Sequence, residues 1–180
     1  NYIHDSKGSL TLENSSNIFI YNNVIDSGDN NHCIDEWGSG SDGTILIAHN
    51  TFLHGEGFSL SLGDGNANYV IRNNIVDGFC PDPEYDVSHN LYVDLAWCQA
   101  ERYGWTLESG GLVEEDQSLL FTDQDNEDFR PLSTSVLIGA GTDISSFIPS
   151  ETFPEFDFTR DKNGNSRSLD GGATIGALSQ

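Results

Sequence analysis

Short apolar runs of about six residues, each closing on asparagine, recur down the first half of the chain and are too short for helices. They are Ile18-Phe19-Ile20-Tyr21-Asn22-Asn23, Ile45-Leu46-Ile47-Ala48-His49-Asn50, Tyr69-Val70-Ile71-Arg72-Asn73-Asn74 and the shorter Asp86-Val87-Ser88-His89-Asn90. An apolar pair follows the asparagine in three copies: Val24-Ile25, Thr51-Phe52 and Ile75-Val76. The chain opens on the tail of the same phrase, Asn1-Tyr2-Ile3. The asparagines lie 22 (1 to 23), 27 (23 to 50), 24 (50 to 74) and 16 (74 to 90) residues apart. A repeat in the low twenties that carries strands and no helical stripe is the pattern of a β-solenoid.

Each full interval holds three strand-like pieces. Between Asn23 and Asn50 they are Val24–Asp26, Cys33–Trp37 and Thr44–Ala48; between Asn50 and Asn74 they are Thr51–Leu53, Phe58–Leu62 and Tyr69–Arg72. Turns rich in Gly, Ser and Asp separate them, such as Gly38-Ser39-Gly40-Ser41-Asp42-Gly43 and Gly63-Asp64-Gly65-Asn66. Three strands per turn of a coil, stacked turn on turn, make a parallel β-helix. Ile20, Ile47 and Ile71 hold equivalent places and are expected to stack inside it. The bend after each ladder strand needs a left-handed residue, which asparagine tolerates. The side-chain amide can then bond the next coil at the strand spacing of about 4.8 Å. Asn23, Asn50, Asn74 and Asn90 are therefore read as structural, with the left-handed corner placed on the asparagine itself.

These phrases resemble the right-handed parallel β-helix superfamily typified by pectate lyases, over residues 1 to 94. A second likeness covers Asp128–Gly141, Asp161–Arg167 and Gly171–Ala177, which is similar to the closing segment of many secreted bacterial β-helix proteins. The resemblance implies an all-β fold: a right-handed parallel β-helix, a single-stranded solenoid of about four to five coils, with a loop-rich C-terminal region. Residues 1–180 read as one domain, with regular coils over 1–94, an irregular excursion over 95–127, and a closing segment and strap over 128–180. Within the last part, Phe129 to Ile138 is expected to rejoin the coil, Ser145 to Phe158 to form an extended strap, and Thr174–Leu178 to form a final strand. The closing pattern occurs in proteins of varied activity, so it speaks for fold and not for reaction.

Charge narrows the partners. The 180 residues hold 7 Lys plus Arg against 29 Asp plus Glu, a net charge of −22. Phosphate backbones and anionic membrane surfaces are repelled by such a chain. No run is long and apolar enough to span a membrane. Three cysteines leave one unpaired: Cys80 and Cys98 flank a loop-rich stretch and can join, while Cys33 opens a strand and reads as a small apolar residue. An uncapped coil end exposes apolar side chains, so a missing segment or a homodimer partner is expected over the N-terminal coil end.

In relatives of this fold the substrate lies along the outer face of the strand that precedes the ladder strand, and on the loops that feed it. Here that strand is Leu10–Glu13, then Cys33–Trp37, then Phe58–Leu62. With Leu12, Ile34 and Leu60 inward, alternation turns Thr11, Glu13, Asp35, Ser59 and Ser61 outward. Glu36 and Trp37 break the alternation, and a bulge would turn either of them out. The feeding loops add His32 on one coil and His54 and Glu56 on the next. Asp35, Glu36, His32, His54 and Glu56 are thus the candidate catalytic groups, and Trp37, Glu13, Ser59 and Ser61 the candidate substrate contacts. Paired carboxylates hydrolyse glycosidic bonds, histidine serves as a base in elimination, and tryptophan stacks on sugar rings. The bland alternative is a set of polar turn residues on an acidic surface.

Calcium is the one candidate cofactor. Asp26 and Asp29 share a loop with Asn30, and Asp161-x-Asn163-x-Asn165 resembles the opening of a calcium loop. The second set lacks a glutamate at the twelfth place, where Gly172 stands, and reads as a structural turn. Two departures from the pectate lyase pattern argue against elimination on pectate. Arg72 is the only Lys or Arg between Lys7 and Arg102, and no Asp-Asp pair occurs. The expectation is a secreted or cell-surface β-helix protein that binds or cleaves neutral or weakly charged polysaccharide. The alternative is a non-catalytic solenoid module for adhesion or assembly.

Overall fold

The computed structural model describes residues 1–3, 10–27, 32–37, 41–53, 59–63, 66–96, 98, 105–148, 157–168 and 172–179, with Trp37 as backbone alone. It is an all-β parallel solenoid of about four turns, with almost no helix. Three parallel sheets run along it. The ladder sheet stacks β3 (Ser16–Tyr21), β6 (Asp42–Ala48), β9 (Asn68–Arg72) and β11 (Asp86–Ser88). The sheet after the asparagine corner stacks β1 (Tyr2–Ile3), β4 (Val24–Asp26), β7 (Thr51–Leu53), β10 (Ile75–Val76), β12 (Leu91–Tyr92) and β13 (Leu112–Val113). The third sheet is β2 (Leu10–Glu13), β5 (Ile34–Trp37) and β8 (Leu60–Ser61).

The register puts like on like. Ile20 pairs with Ile47 and Ile47 with Ile71, and all three are buried in the coil interior. Phe52, Val76 and Tyr92 fill the same interior from the second sheet, and Leu12, Ile34 and Leu60 from the third. Period-two alternation does the rest: side chains on the opposite face of each strand point out of the coil.

The asparagine corner is a column of amides. Each asparagine amide donates to the side-chain oxygen of the next coil's asparagine: Asn1 to Asn23 at 3.1 Å, then Asn23 to Asn50, Asn50 to Asn74 and Asn74 to Asn90, each at 3.0 Å. The left-handed residue is the one before the ladder asparagine, not the ladder asparagine. Asn22, His49, Asn73 and His89 have φ of 57°, 53°, 59° and 54°. The two tasks separate because the ladder side chain must point along the stack while its neighbour turns the chain.

The ladder does not stop at Asn90. In the next coil Gly110 takes the left-handed place (φ 71°) and Gly111 precedes β13 as Asn90 precedes β12. Gly111 has no side chain to offer, and Glu108 Oε1 reaches across to accept from Asn90 N at 3.2 Å and Asn90 Nδ2 at 3.3 Å. A carboxylate accepts but cannot pass an amide proton onward, so the column ends there. This strand lies inside the stretch expected to be an irregular excursion.

The C-terminal third covers two of the three sheets. Val24, Leu53, Ile75 and Leu91, the outward residues of the second sheet, pack against Leu120, Phe121, Phe129, Leu137 and Ile175. Tyr21, Leu46, Ala48 and Val70, outward on the ladder sheet, pack against Ile144 and Phe158, with Phe147 and Ile148 beside them. Two expectations are corrected here. Phe129 does not rejoin the coil; β14 (Phe121–Asp123) and β15 (Asp128–Pro131) form an antiparallel hairpin outside it. Thr174–Leu178 is not a strand. Its backbone bonds the corner column instead, with Gly176 N donating to Asn73 O at 2.8 Å and Ala177 N to Thr51 Oγ1 at 3.1 Å. The strap expected over Ser145–Phe158 begins as a 3-10 turn at Ser145–Phe147 and then passes through residues outside the described set.

Candidate functional site

The closing segment packs apolar side chains on the outer faces of two sheets, although the ladder sheet keeps the Arg72–Asp86 ion pair there, and the outer face of the third sheet (β2, β5, β8) carries a run of polar side chains among the described residues. Thr11, Asp35 and Ser61 stand in one register column across the three strands, and Glu13 lies opposite Trp37. Thr11 and Glu13 are exposed, and Asp35 and Ser61 are half-buried. The outward placement expected of Glu13, Asp35 and Ser61 is therefore what the register produces. His32 is half-buried just before β5.

Glu36 is placed differently. It pairs with Leu12, in the inward column, and is 8% exposed. No bulge turns it out. Its Oε2 accepts from the Tyr69 hydroxyl and from Gly63 N, the latter at 2.9 Å. The candidate catalytic acid is thus a strut joining β5 to β9 and to the turn after β8. Ser59 is corrected too: it is fully buried, and its backbone carbonyl accepts from Cys33 N and Ile34 N, at 2.9 and 3.0 Å. His54, Glu56 and Asp29 lie outside the described residues, as does the side chain of Trp37. Asp26 ends β4, on the second sheet, away from this face.

The turn after β8 opens onto a cleft of about 490 Å³ lined by Gly63, Asn66, Ala67, Asn68, Asp82, Glu84 and Tyr85. A proline turn builds one wall. Tyr85 N donates to Asp82 O at 3.0 Å, and Glu84 N to Asp82 Oδ1 at 3.1 Å, with Pro83 in the favoured second position of the turn. The Tyr85 ring packs on Tyr69 at 4.8 Å between centroids, and its hydroxyl donates to Leu62 O and Gly63 O, at 3.4 and 3.3 Å. The Cys80–Cys98 disulfide, expected as one pairing from the sequence, anchors the start of that loop. Cys33 is buried, its thiol near Ile25 O, Ser27 Oγ and Leu53 O, and burial pushes it up to about 12.

Nothing in the repeat pattern singled out these cleft residues. The one available signal was an aromatic and two acids on a turn beside a cysteine, Cys80-Pro81-Asp82-Pro83-Glu84-Tyr85.

Other charged clusters are structural. The Asp161 carboxylate accepts from Asn163 N, Asn165 N, Asn165 Nδ2, Ser179 N and Ser179 Oγ, at 2.8 to 3.0 Å. Burial works against its charge, but bonds from Ser179 and Asn165 hold it below the usual carboxylate range. Its oxygens are taken by donors, which fits the structural turn read from the sequence. His49 is fully buried between Tyr21, Asn73 and Arg167; burial and then the Arg167 charge hold it well below its ordinary value. Among the described residues no group of three or more His, Cys, Asp and Glu could hold a metal ion, and no helix is long and apolar enough to cross a membrane.

No protein-family model, curated protein or solved structure matches the chain.

Proposed function

We propose that this chain is a glycan-binding β-solenoid that lays a sugar chain along the outer face of β2, β5 and β8 and seats one end of it in the cleft between Gly63 and Tyr85. The observation that carries this reading is the selective covering of the coil. Apolar packing covers much of the outer faces of two sheets, while the third presents the Thr11, Asp35 and Ser61 column, with a cleft lined by amides, carboxylates and a phenol at the turn after β8. Such groups recognise sugar hydroxyls by hydrogen bonding, and the parallel stack repeats them along a line. Binding is favoured over cleavage, because Glu36 is committed to Tyr69 and Gly63 rather than to the surface.

The test is a glycan array read with and without calcium, on the native chain and on Asp35→Ala and Tyr85→Ala variants. Binding that both variants lose supports the reading. Binding that neither variant affects puts the site elsewhere, and release of new reducing ends restores the cleaving version. The alternative reading, a non-catalytic module for adhesion or assembly, draws on Ile3 and Leu10, apolar side chains 39% and 41% exposed on the first coil. It predicts concentration-dependent self-association, or capture of a protein partner, and no response to any glycan. Placement outside the cell is a proposal that follows from the glycan reading.

A further inference from the structure

We propose that residues 157–168 and 172–179 form an acid-operated clasp: gain of a second proton by His49 at the coil corner releases this segment from the sheets it covers while the coil stays folded.

The left-handed corner residues hold the segment. Asn22 Nδ2 donates to Arg160 O, His49 Nδ1 lies 3.2 Å from Thr174 O, and Asn73 O accepts from Gly176 N at 2.8 Å. Of these three corner residues only the histidine titrates. The segment is braced within itself, because Arg167 N donates to Thr159 O and the Asp161 carboxylate joins Asn165 to Ser179. Ile175, Ala177 and Leu178 lie on the second sheet and Phe158 on the ladder sheet, so release bares part of both outer faces.

The buried ring of His49 has a place for one proton and not for two. Asn73 Oδ1 accepts from Thr142 N and Asn73 Nδ2 donates to Thr142 O, both at 2.8 Å, which fixes the orientation of that amide. Its second N–H faces His49 Nε2 at 3.1 Å, so Nε2 is an acceptor. At Nδ1 the acceptor Thr174 O is joined by a donor, Arg167 Nη1. A proton on Nδ1 has Thr174 O to bond; a second, on Nε2, meets an amide N–H.

Charge acts in the same direction. Arg167 is buried, its Nη1 donates to Gly176 O at 2.7 Å, and its Nε and Nη2 have no hydrogen-bond partner among the described residues. Tyr21 stands edge-on to the His49 ring at 5.4 Å and donates its hydroxyl to Phe158 O at 2.8 Å. The acids whose charge reaches this corner are Asp157, paired with Arg160, and Asp161, occupied by Asn165 and Ser179. Arg72 on the next coil is paired with Asp86, and Asp143, after Thr142, accepts from Ser145 N. A charged His49 would thus be a second buried cation against Arg167 with no counter-ion of its own. Burial first, and the Arg167 charge second, hold His49 well below its ordinary value. Docking is therefore strongest above about 6.5, where the released histidine is neutral, and weakens as pH falls below it.

The test is hydrogen exchange on the whole chain at about pH 7.5 and about pH 5, on either side of the ordinary histidine value, with rates normalised to the intrinsic rate at each pH. It is run on the native chain and on His49→Asn, since asparagine holds the same left-handed place at positions 22 and 73. Protection of residues 174–178 should fall at least about tenfold at the acid pH and respond little to low urea, while the amides of Ile47 and Ile71 stay slower; His49→Asn should lose the pH response. No fall, a fall that His49→Asn retains, or an equal fall in clasp and ladder with the same urea slope overturns the proposal. Imidazole nitrogen NMR on the unmutated chain gives a second readout. His49 should gain its second proton over the same pH range in which residues 174–178 lose protection. A doubly protonated His49 beneath a still protected clasp overturns the proposal as well.

Discussion

Asn74→Ala tests the physical basis of the coil. Asn74 is fully buried. Its Oδ1 accepts from Asn50 N and Asn50 Nδ2, at 2.9 and 3.0 Å. Its Nδ2 donates to Ile47 O at 2.8 Å and to Arg72 O and Asn90 Oδ1, both at 3.0 Å. Truncation removes all of these and strands the buried Asn50 N–H, while Arg72 O keeps its bond from His49 N at 3.2 Å. At about 1 kcal/mol net per bond, with a further penalty for each stranded group, the loss is on the order of 4 kcal/mol. That is a large share of the roughly 5–15 kcal/mol typical of a folded domain. In urea, with a slope of about 2 kcal/mol per molar, the midpoint should fall by about 2 M. Asn23→Ala is the internal control. Asn23 is half-buried near the first coil, and its loss should cost about 1 kcal/mol. Equal costs at the two positions would refute the reasoning, because the ladder's value would then not depend on burial.

Glu108→Ala should cost about 1–3 kcal/mol by leaving the Asn90 donors short of an acceptor, and Glu108→Gln should recover most of it in thermal melts, since the amide oxygen still accepts. His49 is held neutral in the folded chain, so the unfolded chain binds the extra proton; its stabilisation is full above the ordinary histidine value near 6.5 and is lost as pH falls below it. Urea midpoints should therefore decline as pH falls below about 6.5, a slope that His49→Asn flattens. Reducing Cys80–Cys98, which closes a loop of sequence separation 18, should cost about 3 kcal/mol. Cys33 should react with a thiol reagent only after unfolding, and fast labelling of the native chain would contradict its burial.

The coil was legible because its period is carried by residues that do one job each. Ile20, Ile47 and Ile71 are apolar, β-branched and in register, and Asn23, Asn50, Asn74 and Asn90 recur where a buried amide column needs them. The left-handed corner was assigned one residue late. Asn22-Asn23 and Asn73-Asn74 offer two asparagines for two tasks, and only His49-Asn50 and His89-Asn90 separate them; histidine also tolerates that region. The end of the ladder was hidden because Glu108 replaces the missing side chain of Gly111 from another position. Glu36 was read as a surface acid because strand alternation is local, whereas its partners Tyr69 and Gly63 come from later in the chain. The cleft escaped for the same reason: its walls come from two separate loops, and neither carries a motif.

The most direct measurement of the central claim is hydrogen exchange on the native chain with and without a saturating concentration of the oligosaccharide that binds best on the glycan array. The account predicts slowed exchange confined to residues 10–13, 34–37, 60–63, 66–68 and 82–85, with the closing segment unchanged. Protection over residues 144–147 or the β14–β15 hairpin instead, or no change anywhere at saturating oligosaccharide, would contradict it.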